Sequence, residues 1–342
     1  MTHFPESASG SESPLLEVMD LKTYFDVDEG VVQAVDGVSF SVYREETLGL
    51  IGESGCGKTV TALSVLRIVP SPGRLVAGKI LLHLDGDTID LAQLNPSGGE
   101  IRGIRGKEIS MVFQEPMTSL SPVHTIGNQI REAILLHRTK DRQEAQEIAL
   151  DMLNRVGIGN PAQLISAYPH QLSGGMRQRA MIAMALSCHP RLFIADEPTT
   201  ALDVTIQAQI LALIKELQAH FRMAVLYITH DLGVIAEMSH RVAVMYLGKM
   251  VEIGSVRDVF YHALHPYTVL LLKSRPRLTR GTGERLESIK GNVPVPLNLR
   301  PQCGFYDRCP EAIEGRCNTA VPELIEKEDG HWVRCFAKEE TM

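Results

Sequence analysis

"GESGCGKT", residues 52–59, fits the pattern G-x-x-x-x-G-K-[ST]. The apolar run "TLGLI" stands directly before it, and "TVTALSVLRIV", with helical spacing of its apolar residues, begins at its last position. Strand, glycine-rich turn and helix in that order make a phosphate cradle. The glycines let consecutive backbone N–H groups wrap an anion, and the helix N-terminus adds its positive end. Lys58 is placed to reach the β- and γ-phosphates of a nucleoside triphosphate, and the Thr59 hydroxyl to hold Mg²⁺. The expected contact set is Gly52, Glu53, Ser54, Gly55, Cys56, Gly57, Lys58, Thr59 and Val60. Cys56 is expected to matter for its backbone N–H rather than its thiol.

Outward from the loop, "ISMVFQ", "RLFIAD", "MAVLYITH" and "RVAVMYL" read as further buried strands. Between them "IGNQIREAILLHR", "DRQEAQEIALDMLNRVG", "RQRAMIAMALS" and "VTIQAQILALIKELQAHF" repeat apolar residues every three or four positions, as amphipathic helices do. The class is α/β with a mostly parallel core sheet and a helical subdomain. "VVQAVDGVSFSV" and "GKILLHL" alternate differently and suggest an antiparallel β addition.

The strand "RLFIAD" ends in Asp196 and is followed at once by Glu197. An aspartate at that place can hold Mg²⁺ through water, and the next carboxylate can polarise an attacking water. "LSGGMRQR", residues 172–179, sets Ser173, Gly174 and Gly175 just ahead of a helix, which makes a second anion site. It cannot serve the same phosphate tail from the same side, so a second nucleotide is implied.

With these motifs in order, the chain resembles the nucleotide-binding subunit of an ATP-binding-cassette transporter from about Leu15 to Gly254. The resemblance rests on the phosphate loop, Gln114 in "MVFQEP", "LSGGM", Asp196-Glu197, "TTALD" and "ITHD". It implies a P-loop NTPase cassette that packs head to tail with a second cassette, each ATP lying between the phosphate loop of one and the signature of the other. Gln114 would then contact Mg²⁺ and the transmembrane partner, with Thr59 and Asp196 as the other Mg²⁺ positions. Glu197 would be the general base, Asp203 would couple the two sites and His230 would hold the γ-phosphate. Ser173, Gly174, Gly175 and Met176 would face the opposite ATP. Met176 stands where the family usually has Gln, a change that removes a side-chain amide and keeps the Ser/Gly nest. Adenine in this family stacks on an upstream aromatic; Tyr24 and Phe25 in "KTYF" are neighbours on one strand and face opposite ways, so only one can serve.

The chain has 342 residues, which suits a main domain plus an appendage. Its net charge of -7 gives no reason to expect a nucleic-acid partner. Residues 1–14 lack both a basic and an apolar region and read as a disordered tail rather than a signal peptide. The longest apolar runs, such as "YTVLLL", fall far short of the ~20 residues that cross a bilayer. A cassette is expected over 15–260 and an extension over 261–342, in which the helical "HPYTVLLLKS" is followed by a Pro-, Arg- and Gly-rich linker or extended arm from Arg275 to Gln302.

Of six cysteines, Cys188 closes an apolar helix and reads as a buried thiol. Cys303, Cys309, Cys317 and Cys335 form the full complement for one [4Fe–4S] cluster or one Cys₄ zinc site, and unligated or oxidised thiols are the third reading. A small arm with little core of its own would use such a centre as a staple, or alternatively as a redox or iron sensor. "HPYT", "IKGNVPVPLNLRPQCGFYDRCPEA" and "HWVRCF" resemble the extension on ATPase subunits of dipeptide and oligopeptide importers, a subfamily in which some relatives hold a [4Fe–4S] cluster at these positions. That resemblance implies a paired, non-identical cassette, two permease subunits, an extracytoplasmic solute-binding protein, and a place on the cytoplasmic face of the inner membrane. Importers of this kind also carry nickel, antibiotic peptides, glutathione or oligosaccharides. A soluble cassette ATPase and an exporter ATPase are the rival readings.

Overall fold

Two short stretches of chain, one running from a buried strand into the phosphate loop and one closing the C-terminus, belong to the same compact unit, although some 250 residues lie between them. The computed structural model describes residues 13–113, 119–200, 202–274, 289 and 291–339. Residues 1–12 of the expected tail, Gln114, and 275–288 and 290 of the expected arm lie outside the described residues.

In chain order the strands are β1 (Leu16–Val27), β2 (Gly30–Val42), β3 (Thr47–Ile51), β4 (Gly73–Leu84), β5 (Asp87–Asp90), β6 (Ile109–Val112), β7 (Leu192–Asp196), β8 (Ala224–Ile228), β9 (Arg241–Tyr246), β10 (Lys249–Ser255), β11 (Ile325–Glu328) and β12 (His331–Val333). The described helices are α1 (Lys58–Val65), α2 (Gly99–Ile104), α3 (Ile126–His137), α4 (Arg142–Arg155), α5 (Pro161–Leu164), α6 (Gly174–Leu186), α7 (Val204–Phe221), α8 (Leu232–Met238), α9 (Val256–Tyr261), α10 (Pro266–Lys273) and α11 (Phe336–Glu339).

The first unit comprises residues 1–41, 48–92 and 229–342. Its antiparallel sheet has the order β2-β1-β4-β5, with Leu16 opposite Leu82 and Phe25 opposite Gly73. This is the antiparallel addition that the alternation in β2 and β4 suggested. A second run of strands in this unit has the order β11-β12-β10-β9-β3. β3 and β9 are parallel, Leu48 facing Arg241 and Ile51 facing Val244. From β9 outward the pairing is antiparallel, and β12 joins β10 with Val333 opposite Glu252.

The C-terminal region is therefore built onto the sheet that carries β3 instead of standing apart from it. Residues 296–298 of the expected arm lie along β2 of the antiparallel sheet. The Gln33 N–H donates to the Pro296 carbonyl at 2.8 Å, the Asn298 N–H to the Val31 carbonyl at 2.9 Å, and Asn298 Oδ1 accepts the Val31 N–H at 3.0 Å.

The second unit comprises residues 42–47 and 93–228. β8, β7 and β6 lie side by side and parallel, with every residue of β7 and β8 buried. Strands covered on both faces need a continuous apolar run, which "LFIAD" and "AVLYI" supply. α3, α4 and α6 pack on one another and α6 packs on β6, forming the helical part. Thr125 and Asp141 cap α3 and α4 by accepting N–H bonds of their first turns.

Candidate functional site

In the first unit, β3 delivers the chain into the loop of residues 52–57, and α1 starts at Lys58. Gly57 holds φ +104°, and a Cβ there would lie 2.2 Å from the Ala34 carbonyl oxygen. Gly52 is equally committed, since its Cβ would lie 2.1 Å from the Met245 carbonyl oxygen. Only glycine satisfies both the dihedral and the close approach.

The buried Lys58 ammonium donates to the carbonyls of Gly52 at 2.8 Å and Glu53 at 3.1 Å. Ser54, Gly55 and Thr59 face solvent, and Val60 is half-buried behind them. The Cys56 side chain is fully buried, its carbonyl accepts the Gly248 N–H at 3.0 Å, and burial raises its thiol pKa against the pull of Lys58.

Two contacts to this loop were not foreseen. The Glu53 N–H donates to the Tyr267 hydroxyl at 2.9 Å. The Arg308 guanidinium binds both carboxylate oxygens of Glu53, Nη1 to Oε2 at 2.8 Å and Nη2 to Oε1 at 3.1 Å. That pair of hydrogen bonds holds the Arg308 pKa above its ordinary value, although burial opposes it. "HPYT" was legible only as part of a resemblance, and nothing local marks Arg308 as a partner of a residue 255 positions away.

Tyr24 and Phe25 take different partners. The Tyr24 hydroxyl donates to Asp36 at 2.8 Å, and Asp36 in turn pairs with Lys249 at 2.6 Å. Burial and the Asp36 bond push the Tyr24 pKa up. The Phe25 ring covers Gly73, where a Cβ would meet it at 2.5 Å. His230 is exposed, in the turn between Thr229 and Asp231, and Asp231 caps α8 by accepting the N–H groups of Gly233 and Val234.

In the second unit, Asp196 is buried at the end of β7. Glu197 follows at φ +46°, in the left-handed region, fixed by its N–H to the Ile228 carbonyl at 2.8 Å and by the Thr200 hydroxyl on Oε2 at 2.8 Å. A non-glycine residue held there is strained, and such strain gathers at functional sites.

Ser173 caps α6 by accepting the Met176 N–H, and the helix begins at Gly174, so the glycines form its first turn instead of preceding it. Gly174 is exposed, and a Cβ on Gly175 would press to 3.0 Å on Ile206. Asp203 caps α7 through the Ile206 N–H at 3.0 Å. The structure brings Ser173, Gly174, Gly175, Met176 and Asp203 to one open groove. Cys188 is half-buried, with its Sγ 3.5 Å from the Ala133 carbonyl oxygen.

None of the six cysteines is joined in a disulfide. Among the described residues no group of three or more His, Cys, Asp or Glu is gathered as metal binding requires, the four C-terminal cysteines included. Cys303 and Cys309 are influenced by the other C-terminal cysteines. Burial pushes the Cys303 thiol up to about 11, with Cys317 and Cys335 adding to the shift. Burial also pushes Cys309 up to about 12, with Cys335, Cys303 and Cys317 adding. The Cys303 N–H donates to the Cys317 carbonyl at 2.8 Å.

A glycine-built phosphate cradle, a strand ending in buried Asp196 and a serine-capped signature helix define an ATP-binding cassette, and the chain belongs to the ABC transporter family of ATPases: residues 35–200 match the family described as ABC transporter. Residues 251–317 match the oligopeptide/dipeptide transporter C-terminal region. The chain is 50% identical over 329 residues to the oligopeptide transport ATP-binding protein AppD of Bacillus subtilis, covering 96% of this chain and 98% of that one. It is 45% identical over 321 residues to the dipeptide transport ATP-binding protein DppD of Escherichia coli, covering 94% and 96%. Among solved structures it resembles the dimeric bacterial ABC transporter cassette MJ0796, with TM-score 0.62 and 24% identity over 71% of this chain and 99% of that one, which speaks to the fold alone. It also resembles cbiO1 of Clostridium perfringens, part of the transporter complex cbiONQ, with TM-score 0.60 and 25% identity over 74% and 93%. Among the described residues no helix is long and apolar enough to cross a membrane.

Proposed function

We propose that this chain is the ATP-hydrolysing subunit of a membrane importer for dipeptides or oligopeptides. The observation that carries the reading is the union in one chain of the phosphate cradle with a C-terminal region of the oligopeptide/dipeptide type over residues 251–317. The cassette would span 15–260 and the extension 261–342. ATP would lie on the backbone of 52–60 with Lys58 on its β/γ-phosphates, its adenine stacked on Tyr24 or Phe25. Thr59, Asp196 and Gln114 would hold the Mg²⁺, which supplies charge neutralisation on the phosphates. Glu197, pre-set by Ile228 and Thr200, would take the proton of the attacking water, and His230 would hold the γ-phosphate. The groove of Ser173 to Met176 and Asp203 would receive the ATP of a second, non-identical cassette. Closure of that pair would move two permease subunits at the cytoplasmic face of the inner membrane, fed by a solute-binding protein.

The four C-terminal cysteines would hold a [4Fe–4S] cluster, whose full complement of thiolates they supply. Cys317 and Cys335 are buried and Cys303 and Cys309 half-buried, and neighbouring cysteines add to the raised pKa of Cys303 and Cys309. Such a cluster would supply a covalent staple for the extension. Anaerobic purification is expected to give about four irons and four sulfides per chain; zinc alone, or no metal, would overturn this assignment.

The transport reading is tested by reconstituting the chain with its permease and binding-protein partners in vesicles. Hydrolysis stimulated by di- or oligopeptides, together with their uptake, is the expected result. A complex that hydrolyses ATP yet imports only nickel or a saccharide would keep the ATPase and overturn the cargo.

A further inference from the structure

Glu53 is held from three sides. Its N–H is taken by the Tyr267 hydroxyl at 2.9 Å, its carbonyl oxygen accepts the Lys58 ammonium at 3.1 Å, and both carboxylate oxygens are bound by Arg308. Arg308 is only 7% exposed, and its position is over-determined. Nη1 also donates to the Tyr246 hydroxyl at 3.2 Å and Nη2 to the Gly291 carbonyl at 3.1 Å. The guanidinium lies 5.7 Å from the Tyr246 ring centre and 6.0 Å from that of Phe305. Phe305 in turn stands edge-on to Tyr246 at 5.2 Å and to Tyr267 at 5.4 Å. These rings join the cysteine-bearing segment to β9 and α10 directly beneath the loop.

Arg308 closes the single turn Tyr306–Arg308 and immediately precedes Cys309. A planar fork on both oxygens of a carboxylate fixes direction as well as distance. Displacing Arg308 therefore moves Glu53, and with it one of the two carbonyls that aim Lys58 at the phosphates.

We propose that Arg308 is a positioning residue for the phosphate loop, through which the folded state of the cysteine-bearing extension sets the affinity of the chain for MgATP. The proposal rests on the reading of residues 52–59 as the ATP site. Coupling of this kind is reciprocal: whatever loosens the extension weakens nucleotide binding, and bound nucleotide tightens the extension.

The test uses the full chain and a displaceable fluorescent ATP analogue with Mg²⁺. Trp332, the single tryptophan of the chain, lies in β12 and reports on the folding of the extension. Arg308→Ala is expected to raise the Kd for MgATP about tenfold, and KM in ATP hydrolysis likewise with kcat changed less, Trp332 emission staying that of the native chain. Arg308→Lys should recover part of the loss. Glu53→Gln should weaken binding as Arg308→Ala does, and the double variant should be no worse than either alone. In the wild type, MgATP should slow backbone hydrogen exchange across residues 301–339, and in Arg308→Ala it should not.

Arg308→Ala and Glu53→Gln both binding within about twofold of wild type, well below the coupling expected here, would overturn the proposal. Should Arg308→Ala alter Trp332 emission, Glu53→Gln, which leaves the arginine in place, decides the matter. Wild-type protein that fails to bind MgATP would remove the ATP-site reading itself, and the coupling with it.

Discussion

His331 Nε2 lies 2.8 Å from Glu252 Oε1, with both side chains shut off from water. The same carboxylate accepts the N–H groups of Leu264 at 2.7 Å and His265 at 2.9 Å. One buried group thus ties β10, the entry to α10 and β12 together. Replacing Glu252 by Ala strands three donors in the interior. It is expected to cost about 3–5 kcal/mol, visible as a lower urea midpoint and an early change in Trp332 emission. Glu252→Gln, which keeps one acceptor oxygen, should cost less.

His265 caps α10 by accepting the Tyr267 N–H on Nδ1 at 3.0 Å, so the ring is neutral. Burial, aided by Arg334 and Lys338 and partly opposed by Glu252, pulls its pKa from 6.5 down to about 4. The unfolded chain takes up this proton first as pH falls. The contribution to stability is complete above pH 6.5 and is lost progressively toward about pH 4, a loss of about 3 kcal/mol. Urea titrations across that window should show the decline, and His265→Asn, which keeps a capping acceptor without a titrating ring, should flatten it.

Glu197 is aimed by backbone and hydroxyl contacts that a glutamine can keep. Glu197→Gln is expected to lower ATP hydrolysis by about 10²–10⁴-fold with MgATP binding retained, because only the proton acceptor is lost. Phosphate release, with sedimentation in the presence of MgATP to detect a trapped dimer, checks it. Normal turnover would remove Glu197 from the role of base.

Gly57 needs φ +104° and leaves 2.2 Å for a Cβ before the Ala34 carbonyl oxygen. Gly57→Ala is expected to cost about 1–3 kcal/mol in backbone strain alone, and to reduce MgATP binding because the cradle must open to relieve the clash. Thermal unfolding and nucleotide titration of the same variant measure the two effects separately. Gly55→Ala, at φ +80° with nothing within 4 Å of the added methyl, should show the dihedral strain without the clash.

The sequence by itself determined the parts whose physics is local. A strand, a glycine turn and a helix in the G-x-x-x-x-G-K-[ST] pattern predict a phosphate cradle, because the positive φ values and the run of N–H groups are largely local to eight residues. The same holds for the Ser173 cap, for Glu197 directly after β7, and for the apolar runs of β3, β7 and β8, buried as parallel strands must be. The start of α6 at Gly174 differed by two residues because capping fixes a helix end only to within a turn.

Only the tertiary structure decided what holds the loop from outside. Nothing in "HPYT" announces that its tyrosine receives the Glu53 N–H, and nothing in "DRC" that its arginine clamps the same residue. Those contacts depend on β10 pairing with β12 and on Phe305 entering the aromatic cluster. Long-range pairing of this kind leaves no periodicity in the chain, since each partner is an ordinary polar residue until the sheet brings the two together.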